Sequence, residues 1–143
     1  MKLTHADLRD VLRTPYVAGG RSPGRGLDCL GTVLVIAERM HLPAPDPWSR
    51  IAEAWQANNL QAANGFAAGW QRISNLGAWQ DGDVLLYYEH HPWSAIVCAD
   101  HVWSADPRAG GVWSAPLHRW HKVPAEAWRY GEDQGLGPAR ADR

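Results

Sequence analysis

Two cysteines and seven histidines are the side chains of this 143-residue sequence best suited to nucleophilic chemistry. Cys29 lies in "GLDCLGTVLVIAERM", Gly26 to Met40. A cysteine in the first turn of a helix feels about half a positive charge and faces free backbone N–H groups. Both favour the thiolate, which is the reactive form. The same N–H groups can receive the oxyanion of a tetrahedral intermediate. The preceding "PYVAGGRSPGRG", with four glycines and two prolines, reads as an irregular loop that leaves the sulfur accessible. The competing reading is an inert buried cysteine, the commoner fate of the residue. A nucleophilic cysteine also needs a base that takes the thiol proton and returns it to the leaving group. His90, His91 and His101 are the candidates. His5, His41, His118 and His121 show no metal-ligand spacing, and "HRWH" has no carboxylate or cysteine company. No metal or cofactor is therefore expected. No phosphate-binding glycine motif, serine nucleophile elbow or nucleic-acid module occurs.

The elements that position these groups follow from pattern. "THADLRDVLRT" reads as a short helix, with Thr4 as its cap, Asp7 completing a capping-box variant, and Leu8, Val11 and Leu12 as the apolar stripe. Pro15 ends it. A second helix starts at Asp28 or Cys29, with Asp28 as N-cap, and runs to about Met40. It is apolar on most sides, so it belongs at the centre of the domain. Gly31 in its first turn costs helix propensity and allows the close approach of a strand. After the connector "LPAPDP", Asp46 and Pro47 resemble the start of a third helix reaching about Leu60. Beyond Asn64-Gly65 the pattern changes to short strands at Gly82–Tyr88, Ser94–Ala99 and His101–Ala105, with a weaker one at Gly111–Ser114. Asp100-His101 reads as a tight hairpin turn, and "APLHRWHKVPAEAWRY" closes the fold as a strand or a short helical turn. Helices followed by strands make residues 1–130 a single α+β domain. Residues 131–143 read as a flexible tail.

A chain of this size buries roughly 70% of its unfolded surface and needs no disulfide or metal to hold a core. Cys29 and Cys98 make no disulfide framework, though a bridge between them stays open. A net charge of −1 argues against nucleic acid. The N-terminus lacks the apolar region of a signal peptide, and "TVLVIA" is too short to span a bilayer, so neither export by a leader nor membrane insertion is expected. Nine tryptophans exceed what a core alone needs and suit a groove or an interface.

The string "TPYVAGGRSPGRGLDCLGTVLVIAERMHLPAP" resembles the NlpC-type cell-wall peptidase family, papain-like cysteine peptidases of circularly permuted order. Tyr16, Gly19, Gly20, Asp28, Cys29, Gly31 and Pro43 fall on its tyrosine, glycine pair, Asp-Cys-Ser-Gly and following proline. Leu30 replaces the serine, as in the phage-type branch. The resemblance continues in "DGDVLLYY" and "AIVCADHVWSADPRAGGV" and covers about Leu8 to Tyr130. It implies a papain-like fold, with N-terminal helices and a central helix bearing Cys29 packed on an antiparallel sheet. It implies hydrolysis of amide bonds in peptidoglycan stem peptides, with Cys29 as nucleophile and Tyr16 and Asp28 at the substrate cleft.

The family's base lies three residues before the strand isoleucine. Counting back from Ile96 gives Trp93, and the third catalytic position falls on Ser104. Both are then cleft residues. Strand alternation, phased by the same resemblance, puts residues 91, 93, 95 and 97 on the Cys29 side. His91 is one pleat step beyond Trp93, and a bulge at Pro92 would bring it into place as the base. His90 falls on the wrong face and His101 at the far end of the hairpin. Two functions follow. One is a phage tail-associated murein endopeptidase, made in the host cytoplasm and carried by the virion. The other is a catalytically degenerate peptidase fold that serves as a structural module among tail-tip or hub proteins. Trp93, Ser104 and the tryptophan count favour the second.

Overall fold

The structure is a computed structural model that describes residues 2–46, 69–89 and 91–131. The expected third helix after Asp46, the tail beyond Gly131 and His90 lie outside the described residues.

Local chemistry sets the first elements. The Thr4 hydroxyl accepts the Asp7 backbone N–H, and the Asp7 carboxylate accepts the Thr4 backbone N–H, a complete capping box. The stripe read as one helix is a 3-10 turn, His5–Leu8, running into α1, Arg9–Leu12. Leu8 and Val11 are fully buried. Strands β1 (Arg21–Ser22) and β2 (Gly26–Leu27) form a small ribbon inside the glycine-rich loop, which the sequence pattern does not announce. The central helix α2 spans Cys29–Arg39. Arg39 at its end grips Asp10 through two hydrogen bonds of 2.7 and 2.6 Å, tying α2 to α1.

The other strands of the described residues form one antiparallel sheet of six: β3 (Trp70–Ile73), β4 (Val84–Tyr87), β5 (Trp93–Cys98), β6 (His101–Asp106), β7 (Gly111–Pro116) and β8 (Glu126–Tyr130). Their order across the sheet is β3-β8-β4-β5-β6-β7. The closing segment supplies both expected alternatives, a 3-10 turn at Leu117–Arg119 and then β8. The β5–β6 turn is Ala99-Asp100, one residue earlier than expected. Both residues have positive φ, 54° and 59°, the signature of a two-residue hairpin loop whose twist matches its strands. His101 therefore heads β6.

Helix α2 crosses β5 and β6. Its Val33 and Ile36 bury against Ile96, Cys98, Trp103 and Val84 on the inner face of the sheet. The outer face carries Leu85, Tyr87, Ala95, Val97 and Ala127, with Trp93, Trp113 and Trp120 packed on them. The described residues form an α+β fold with few helices and an antiparallel sheet. Among the described residues, no helix is long and apolar enough to cross a membrane.

Candidate active site

Asp28 has extended backbone geometry, as an N-cap requires, and its Oδ1 accepts the Gly31 N–H at 2.7 Å. The same carboxylate accepts the Arg21 guanidinium at 2.8 Å and the Gly19 N–H at 2.9 Å. Asp28 is thus a clamp between the glycine loop and the start of α2. A Cβ on Gly31 would overlap the Gly20 carbonyl oxygen. The partner that needs this glycine is a loop carbonyl, not the strand expected from sequence.

Cys29 opens α2, but its surroundings do not activate it. Burial pushes the thiol above its ordinary value, the backbone and hydroxyl of Ser94 pull it down, and the Asp28 charge adds to the rise. Burial thus works against the thiolate that the helix start would favour. The cost of desolvating a thiolate outweighs the partial charge of the helix end, and the neighbouring carboxylate works in the same direction. Cys98 is fully buried, with its thiol pushed up to about 12. Both cysteines are free, which settles the open question of a bridge.

The residue against the Cys29 thiol is Ser94, a buried side chain on the inner face. The expectation that residues 91, 93, 95 and 97 face Cys29 is reversed. Ile96 and Cys98 lie in the core beneath α2, so the even-numbered positions of β5 point inward. Trp93 points the other way. Its ring stacks on Tyr87 at 4.1 Å between centroids, meets Trp113 and Trp120 edge-on, and gives its indole N–H to Glu89 at 3.3 Å. Ser104 is buried, and its hydroxyl donates to the Ser94 carbonyl at 2.7 Å. It braces the strand that presents Ser94.

One open cavity of about 590 Å³ brings Cys29, Tyr16, His91, Trp93 and Ser104 together. Asp28 is absent from its described lining. The Tyr16 phenol is pushed up, chiefly by burial and then by the charges of Asp28, Cys29 and Asp106. His101 is committed elsewhere. Its Nδ1 lies 2.8 Å from the Ala99 carbonyl, and its ring is 4.5 Å from that of His5. Sequence reasoning missed Glu89, Asp106, Arg108 and Trp113 in the cavity wall. The turn string "ADPRAGG" was the available signal for two of them, since Asp-Pro and Gly-Gly mark a turn that can carry function. Among the described residues, no group of three or more His, Cys, Asp or Glu is arranged to hold a metal.

No protein-family model matches the chain, and no curated protein sequence matches it. The fold and site define an α+β domain in which the start of a buried helix places a cysteine in the wall of an aromatic cavity.

Proposed function

We propose that the chain is a papain-like, NlpC-type domain that keeps the peptide cleft of that family without its proton-transfer machinery. The observation that carries this is the pairing of Cys29 with Ser94. A serine hydroxyl cannot serve as a base near neutral pH, and burial disfavours the thiolate. The cleft then serves to bind peptidoglycan stem peptide. The motif around Cys29, with Leu30 in place of serine, suggests a phage tail, where tail-tip or hub proteins would be the partners.

A second reading has one specific observation in its favour: His91 lines the same cavity as Cys29. In that reading the protein is a murein endopeptidase, with Cys29 as nucleophile and His91 as base. Incubating purified peptidoglycan with wild type, Cys29→Ala and His91→Ala separates the two. The degenerate domain releases no soluble peptide above buffer in any of the three, yet sediments with the peptidoglycan. Release by wild type that disappears in both variants would establish the endopeptidase.

A further inference from the structure

The charges around the cavity are unequally committed. Glu89 is 2.7 Å from the Lys122 ammonium and also accepts the Trp93 indole N–H, so that carboxylate and the nearby lysine neutralise each other. Asp106 accepts the backbone N–H of Arg108 at 2.6 Å. The Arg108 guanidinium, in the same cavity wall, has no hydrogen-bond or ion-pair partner among the described residues.

Its backbone is nevertheless held firmly. Arg108 lies on the β6–β7 turn, where the Gly110 N–H donates to the Pro107 carbonyl at 3.1 Å. The Gly110 carbonyl accepts the Tyr16 N–H at 3.2 Å, and Gly110 has the positive φ of 78° that the turn needs. Pro107 restricts the chain just before it. An uncommitted cation on a fixed turn, in a wall shared with Tyr16 and Trp113, suits the role of a ligand anchor. A guanidinium matches carboxylate and phosphate through paired N–H donors. The setting discriminates between these. Asp106, in the same wall, would repel a dianionic phosphate more strongly than a monoanionic carboxylate, and the aromatic walls suit an organic acid.

We propose that Arg108 determines the specificity of the Cys29 cavity by pairing with a carboxylate of the bound peptide. This rests on the reading of the cavity as a peptide cleft.

The test is calorimetric titration of the full chain with two probes. One is L-alanyl-γ-D-glutamyl-L-lysine with free carboxylates, and the other is the same tripeptide with both carboxylates amidated. Wild type is expected to bind the acid about tenfold more tightly than the amide. Arg108→Gln should weaken the acid to the level of the amide and leave the amide unchanged, while Arg108→Lys recovers part of the difference. Arg108 is exposed on a turn, so these variants should fold, as circular dichroism would verify. Equal binding of acid and amide by wild type, or a preference that survives in Arg108→Gln, overturns the role of Arg108 and leaves the peptide cleft standing. Binding of neither probe overturns both.

Discussion

The two faces of the sheet solve the burial problem differently. On the inner face, α2 lies over β5 and β6, with its Val33 and Ile36 in one cluster with Val84, Ile96 and the fully buried Trp103. On the outer face, the described aromatic rings pack on one another, with Trp93 stacked on Tyr87 and Trp113 on Trp120. The outer face also holds an ion pair between Asp83, just before β4, and Arg129 of β8. Both nitrogens of the Arg129 fork that face Asp83 lie 2.8 Å from its fully buried carboxylate. The inner face is covered by a helix, whereas the outer face is covered by stacked tryptophans and closed by this ion pair. Only the inner face meets the sulfur of Cys29, through Ser94. The contrast teaches that a tryptophan lining the same cavity as a cysteine can be structural, while the small residue beside it on the strand meets the sulfur.

The hardest blow to this comparison should be Arg129→Ala. It strands the Asp83 carboxylate in the outer face and should cost about 3 kcal/mol in urea denaturation. A loss below about 1 kcal/mol would show that the ion pair is dispensable. Next comes Trp93→Ala, which removes the ring between Tyr87 and its neighbours and should cost about 2–3 kcal/mol. Because Trp93 faces away from the thiol, iodoacetamide should modify Cys29 at the wild-type rate in that variant. A large change in that rate would place Trp93 against the sulfur after all.

The smallest effect belongs to the far end of the inner face. Burial and the neighbouring His101 hold the His5 imidazole below its ordinary value of 6.5. His5 also contacts the Ser114 hydroxyl at 3.2 Å and the Trp103 ring. Below pH 6.5 the unfolded chain takes up more protons at this site than the folded one, so stability is full above that pH and falls as the solution is acidified. Between pH 7.5 and 5.5 the melting temperature should drop about 1–2 °C more in wild type than in His5→Gln. Equal drops would mean that the His5–His101 contact is without energetic consequence.

What could be read from sequence follows the range of the interactions. The Thr4–Asp7 box and the Asp28 cap each span three residues, and both appear as expected. β3 was not anticipated. "WQRI" is a weak strand pattern, and its partner, β8, lies more than fifty residues away. The β5–β6 turn was misplaced because Ala99 adopts a positive φ that alanine disfavours, so pattern pointed to Asp100-His101 instead. The face of Trp93 was misjudged for a different reason. "WSAIVC" is nearly continuous in buried residues, so it shows little alternation to indicate which parity faces the helix. Tyr16, Cys29, His91, Trp93 and Ser104 nonetheless meet at one cavity, whereas the Arg108 turn becomes part of that site only through its bonds to the Tyr16 loop.

By itself, the sequence determined that Cys29 begins a buried helix, because an N-cap, a glycine in the first turn and an apolar run act within a few residues of one another. Tertiary structure alone decided what the sulfur meets there. The phase of β5 under α2 brings up a serine, and burial pushes the thiol above its ordinary value. Desolvation depends on every group packed around an atom, and here one of them, Ser94, lies on a strand more than sixty residues away.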